Sequence, residues 1–160
     1  MEELEKLLEL GEWEKANTQT HRIIRDKFSQ INSVFLGSSN TLYSEGFKNF
    51  PGEDINALDE LWIKYSNKRF GISIQKNIYK NVGGRLDGRP QQPDDKDIEV
   101  VWKDFSSKVG WKDLANPNIT FNNVDNAPDG HLPCWNEEMI KTSGFVGLFG
   151  RIENCKLSSL

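Results

Sequence analysis

Histidine and cysteine are the residues best suited to nucleophilic or metal chemistry, and this 160-residue chain holds two of each. His131 and Cys134 stand at His-x-x-Cys spacing, which would bring two ligands to one metal ion. A stable zinc site takes about four ligands, and none stands nearby in sequence, so no metal is assigned. His21 lies in a helical stretch four residues before Arg25 and is read as facing solvent. There is no Gly-x-Ser-x-Gly elbow. Gly83, Gly84 and Gly88 are not followed by the Gly-Lys-Ser/Thr of a phosphate loop. Glu137 and Glu138 are neighbours, so on a helix they would point about 100° apart, which suits a solvated surface better than an acid/base pair. With no convergent acid, base and nucleophile, the chain is not read as an enzyme and no catalytic residue is named.

The aromatic residues carry a stronger signal. Apolar residues make up only 36% of the chain, but nine Phe and five Trp supply much of the surface available for burial. Tyr43, Phe47 and Phe50 sit in or beside a loop and not on a helical face. Two readings follow: they cap the core, or they line a concave apolar surface for a flat aromatic ligand. Planar macrocycles bind by broad contact, with a few cations fixing their carboxylates.

The net charge of −4 is spread among scattered basic and acidic residues, which argues against a nucleic-acid partner. No apolar run approaches the roughly 20 residues of a membrane span. The opening MEELEKLLEL is acidic and amphipathic, unlike a secretory or transit signal. Cys134 and Cys155 fit a reduced compartment and are read as free buried thiols, a disulfide between them being the alternative.

The elements that must position these groups are helical. Leu4, Leu7 and Leu8 predict a short helix ending near Gly11. Trp13, Ala16, Ile23, Ile24, Phe28 and Ile31 predict a second, from about Trp13 to Ile31. Leu58, Leu61, Trp62 and Tyr65 fall at i, i+3, i+4, i+7 on a third, closed by Asn67. Phe70-Gly71 makes a turn, and Ile74, Ile78 and Val82 run to Gly83-Gly84. Ile98, Val101, Trp102 and Phe105 predict a helix stopped by Gly110. Phe145, Leu148, Phe149 and Ile152 predict the last one. Residues 111–134 read as irregular, with Ile119, Thr120 and Phe121 a candidate extended segment. The class is mainly α, one compact domain over 1–160 with long irregular loops. It divides into N-terminal helices (1–34), an aromatic loop (35–52), a helix pair (53–84), a solvated loop (85–97) and a C-terminal part (98–160).

The run from Asp54 to Tyr79, DINALDELWIKYSNKRFGISIQKNIY, is too particular for helix grammar alone. Phe50-Pro51, Asp54, Leu61-Trp62, Tyr65-Ser66-Asn67, Phe70-Gly71, Ser73 and Gln75 form one block. LLELGEWEKANTQT precedes it, with Asn17 where an Asp is usual. Val109-Gly110-Trp111 and Ala127-Pro128-Asp129-Gly130-His131-Leu132-Pro133 follow. As a set these motifs resemble the genomes-uncoupled-four family, the porphyrin-binding accessory proteins of magnesium chelatase. The resemblance spans about Leu7 to Phe121 and then Ala127 to Pro133.

That resemblance implies a helical domain shaped like a cupped hand, which binds protoporphyrin IX and magnesium protoporphyrin in an apolar palm and stimulates the chelatase. It implies a carrier and activator that needs no cofactor. The pigment would be protoporphyrin IX, its magnesium complex or a bilin, and the protein partner the large chelatase subunit. The compartment would be cyanobacterial cytoplasm or, if plastid-encoded, stroma. Trp62, Tyr65, Phe70, Gly71, Gln75, Gly110, Trp111, Gly130, His131 and Pro133 would be scaffold, with His131 making a structural hydrogen bond and ligating no metal.

The palm departs from the family. Porphyrin-binding members carry two Arg, three residues apart, a few residues beyond Gly-His-Leu-Pro; here CWNEEMIKTSGFVG offers only Lys141. Tryptophans expected between Trp111 and Phe121 are replaced by a stretch holding Asn116-Pro117, and the helical extension that precedes the core in chelatase activators is not seen. Two expectations follow. In one, Tyr43, Phe47 and Phe50 form one wall of a pigment site, Met139 and Ile140 another, and Lys48 or Lys141 meets the propionates. In the other, the scaffold is a pigment-free sensory or protein-interaction module.

Overall fold

The computed structural model describes residues 1–35, 44–87, 94–112, 121–136, 139–140 and 144–157. Among them there is no strand. Helix α1 (Glu2–Glu9) buries Leu4 and Leu8, one turn apart, and carries Glu2, Glu3 and Glu5 in its first turn, where the helix dipole favours negative charge. Gly11, at φ +70°, turns the chain into α2 (Trp13–Phe35). This helix reaches one turn past the expected end at Ile31. Its buried face is Ala16, Asn17, Thr20, Ile24 and Phe28, a stripe at helical spacing in which two polar side chains take part.

A 3-10 helix (Ser44–Asn49) follows. Helix α3 (Gly52–Tyr65) then buries Ile55, Leu58, Asp59 and Trp62, and α4 (Ile72–Asn81) packs beyond the turn at Gly71. Gly71 has φ +146°, and a Cβ there would lie 2.9 Å from Asp59 Oδ1 and 3.0 Å from Ile63 Cγ1. The absent side chain lets the buried Asp59 carboxylate accept from Ser73 N at 2.8 Å, so α3 caps α4 across the turn.

Asp97 starts α5 (Ile98–Val109) by accepting from Glu99 N at 2.8 Å, and Gly110, at φ +75°, ends it. Phe121 opens a second 3-10 helix (Phe121–Asn126) and is not part of an extended segment, while Ile119 and Thr120 lie outside the described residues. The amide of Asn126 donates to Asn123 Oδ1 at 2.7 Å. Such local side-chain bonds favour turns over a ladder. The last helix, α6 (Gly144–Leu157), packs against the first 3-10 helix, α4 and α3.

Aromatic rings fill the space between α4, α5 and α6. Tyr79 lies 5.1 Å from Trp102, 5.6 Å from Phe105 and 5.8 Å from Phe149, centroid to centroid. Phe145 packs on Phe149 at 5.5 Å and Phe105 on Trp111 at 5.7 Å. Edge-on and tilted pairs at these distances add to the gain from burial. Burial pushes the Tyr79 phenol up to about 12. Both cysteines are buried, and neither is joined in a disulfide.

Candidate ligand-binding site

Residues 127–135 cross the molecule as a strap, and many of its polar groups have partners from other elements. Arg69 donates to the carbonyls of Ala127 and Val124, and Gly130 N donates back to Arg69 O at 2.8 Å. Gly71 N donates to Leu132 O at 3.0 Å. The fully buried amide of Gln75 donates to Gly130 O at 2.8 Å and Pro133 O at 2.7 Å, and its oxygen accepts from Trp135 Nε1 at 2.9 Å. His131 Nδ1 donates to Val109 O at 2.8 Å, and His131 O accepts from Trp111 Nε1 at 3.0 Å. Gly130 has φ +75°, and a Cβ there would sit 2.8 Å from Ile78 Cδ1.

The motif residues are packed and hydrogen-bonded within the helical frame. Trp62 is fully buried and donates from Nε1 to Thr20 Oγ1 at 3.0 Å. Phe70 packs edge-on to Trp13 at 5.9 Å. Tyr65 is half-buried and its hydroxyl donates to Glu5 Oε1 at 2.9 Å. His131 is buried and bonds to Val109 O; no group of three or more potential metal ligands occurs among the described residues.

Where the strap meets α2, a small hollow forms, lined by His21, Ile24, Trp135, Asn136 and Met139. Asn17 fastens the strap from α2, its Oδ1 accepting from Cys134 N at 2.9 Å and its Nδ2 donating to Cys134 Sγ at 3.1 Å. One turn on, His21 Nε2 donates to Cys134 O at 2.5 Å, and the imidazole stacks on Trp135 with centroids 6.0 Å apart. Asn136 Oδ1 accepts from Met139 N at 2.9 Å, which sets Met139 against the opening. Burial is the main force holding His21 below its ordinary range; the Cys134 carbonyl opposes it and the Arg25 charge adds to it. Burial likewise pushes the Cys134 thiol up to about 11 despite the Asn17 bond, which leaves it protonated and unreactive at neutral pH.

His21 is thus not a solvent-facing residue. It shares the inward face with Ile24 and Phe28, at i, i+3 and i+7, and that spacing was the signal available in the sequence. Trp135, Asn17 and Cys134 were likewise missed as site residues, because their roles depend on contacts across more than one hundred residues of chain.

The expected pigment walls divide. Phe47 and Phe50 are brought together, with centroids 5.7 Å apart, and Phe47 lies 4.8 Å from Phe28. Both are fully buried, and Phe50 O accepts from Arg151 Nε at 2.6 Å. They sit in the core, with no ring face open in this arrangement. Met139 is buried beside His21 and Trp135, Ile140 is half-buried, and Lys48 is exposed. Tyr43 and Lys141 lie outside the described residues. The two walls share one face of α2, with His21 and Phe28 on the order of 10 Å apart along the axis. The hollow has a cavity volume of about 10 Å³, room for about one water. A macrocycle can only lie across it, not within it.

Comparison with known proteins gives this geometry a family. The chain is 30% identical over 140 residues to the uncharacterized protein ycf53 of Cyanidium caldarium, covering 85% of this chain and 51% of that protein. It is 29% identical over 119 residues to ycf53 of Pyropia yezoensis, covering 72% and 44%. It is 28% identical over 148 residues to the chloroplastic tetrapyrrole-binding protein of Arabidopsis thaliana, covering 83% and 47%. The chain spans about half the length of these relatives.

Among solved structures, ligand-free GUN4 from Arabidopsis thaliana superimposes with a TM-score of 0.66 at 26% identity, over 93% of this chain and 92% of that one. GUN4 from Chlamydomonas reinhardtii shares the fold with a TM-score of 0.60 at 22% identity, over 94% and 84%. The family model described as GUN4-like matches residues 1–144. With its strap, its α3–α4 turn and its helical frame all in place, this chain belongs to the GUN4-like family.

Proposed function

We propose that this chain is a non-catalytic tetrapyrrole-binding protein whose pigment lies along the α2 face between the Trp135–Met139 hollow and the first 3-10 helix. Family membership is the observation that carries this reading, together with a relative whose name states that it binds tetrapyrroles. The geometry is compatible: His21, Ile24, Trp135, Asn136 and Met139 line a small, mostly apolar hollow, in keeping with the composition of small-molecule sites. Tyr43, Phe47 and Phe50 form the far wall once the 3-10 helix adjusts. Ile140 extends the near wall, and Lys48 or Lys141 meets the carboxylates. Candidate pigments are protoporphyrin IX, magnesium protoporphyrin and a linear bilin. No helix among the described residues is long and apolar enough to cross a membrane.

Regulation of magnesium chelatase through its large subunit is the finer part of the proposal. One relative is a Synechocystis protein and another is named chloroplastic, which supports cyanobacterial cytoplasm or plastid stroma as the setting. Absorbance titration with each of the three pigments tests binding; the expected result is a saturable shift of the main visible band at micromolar pigment. Adding the protein to a chelatase assay with and without pigment tests regulation. The alternative, a pigment-free interaction module, is favoured by one observation: Phe47 and Phe50 are wholly buried. Recovery of one specific partner from pigment-free lysate, with no absorbance shift for any pigment, is the result it requires.

A further inference from the structure

The first 3-10 helix is shut against the core, and the last helix holds it there. Phe47 and Phe50 are fully buried, and close approach to a neighbouring helix pins the segment on either side of them. A Cβ at Gly46 would lie 2.3 Å from Phe28 Cζ on α2, and one at Gly52 would lie 2.6 Å from Cys155 Sγ on α6. Between these two points Arg151, also on α6, donates from Nε to Phe50 O at 2.6 Å. A bond from a guanidinium is charge-assisted and stronger than one between neutral groups. Arg151 and Cys155 stand one helical turn apart, so one face of α6 meets the segment. The GUN4-like match covers residues 1–144, and both residues lie beyond it. Phe145, Leu148, Phe149 and Ile152 are fully buried and anchor α6 in the core. Loss of the Arg151 bond would therefore free the 3-10 segment and not the helix.

We infer that Arg151 is the catch of a gate: its bond to Phe50 O holds the first 3-10 helix closed, and pigment binds when that bond opens and Phe47 and Phe50 turn out of the core. The inference rests on the tetrapyrrole reading above and adds to it how that site is regulated. Affinity is reduced by the fraction of molecules that are open. Removing a bond made only in the closed state raises that fraction. The sign separates the gate from a supporting role, because losing a contact that merely shapes the pigment wall would weaken binding.

The test uses the wild-type chain, Arg151→Met, Arg151→Lys and Gly52→Ala, each checked for native helicity by circular dichroism. Hydrogen exchange of residues 44–50 is read without pigment, and protoporphyrin IX is then titrated by absorbance. Arg151→Met keeps an apolar stem but removes the donor. It should speed exchange in 44–50 about tenfold, with α5 unchanged, and bind protoporphyrin IX about three- to tenfold more tightly. Arg151→Lys retains a cationic donor and should stay near the wild type in both readouts. Gly52→Ala crowds Cys155 and should act in the direction of Arg151→Met while leaving Arg151 in place. If pigment binds, but Arg151→Met leaves exchange unchanged or leaves affinity equal or weaker, the gate falls and the tetrapyrrole reading stands. If neither the wild type nor any variant binds pigment, both fall.

Discussion

The strap and the hollow adjoin each other on α2, yet they are held by different means. The strap is tied by directed hydrogen bonds: Gln75 to Gly130, Pro133 and Trp135, Asn17 to Cys134, and His131 to Val109. Displacing any one of these partners leaves a buried polar group unsatisfied, which costs about 1–3 kcal/mol. The region running from Met139 along α2 to Phe47 is packed mostly by apolar contact, which tolerates changes of lining at constant volume. Gly-His-Leu-Pro is recognisable for this reason, while the stretch that follows it differs from the family pattern. Directed bonds demand particular residues at particular positions; apolar walls demand only shape.

Four results would break or sharpen that contrast. The largest is Phe47→Ala, expected to cost about 3–5 kcal/mol in urea denaturation, because Phe47 is fully buried against Phe28 and Phe50. A cost below about 1 kcal/mol would mean that the first 3-10 helix is a loosely held wall already open to a ligand. Next is Gln75→Leu, expected to cost about 3 kcal/mol by orphaning two carbonyls and one indole N–H. A neutral outcome would show that packing, not hydrogen bonding, fixes the strap.

Third, Glu153 joins α6 to α4 by ion pairs with Lys76 and with Lys80, the latter at 2.6 Å. Lys76 first, then Lys80, holds its carboxyl at about 2, below the ordinary 4.5. A folded value below the unfolded one gives stability that is complete above about pH 4.5 and lost as pH falls toward 2. Glu153→Gln should therefore cost about 1–2 kcal/mol at pH 7 and almost nothing near pH 2, read from urea midpoints across that range. A pH-independent difference would contradict the ion-pair account. The smallest effect is Lys64→Ala. Its 2.9 Å contact with Glu5 is exposed, so thermal denaturation should report almost no change in midpoint.

The helices were legible because their apolar residues repeat at helical spacing. Leu58, Leu61, Trp62 and Tyr65 lie on α3, and Val101, Trp102 and Phe105 on α5, as their spacing predicts. Gly71 and Gly110 mark turns at positive φ. The site was less legible. His21 is polar, so the inward stripe of Ile24 and Phe28 did not claim it. Phe47 and Phe50 lie in and beside a 3-10 helix, whose period of about 3 residues gives no amphipathic pattern over so short a length. Asn17 meets Cys134 across 117 positions, a pairing that no local pattern encodes.

The central claim is that a tetrapyrrole lies across the hollow beside Met139. Absorbance titration of protoporphyrin IX into the wild-type chain and into Met139→Asp, each checked for native helicity by circular dichroism, tests it most directly. A saturable band shift at micromolar pigment in the wild type, weakened about tenfold or more by a carboxylate placed in the apolar lining, is the predicted result. No shift in the wild type, or equal binding by the two folded proteins, would contradict it.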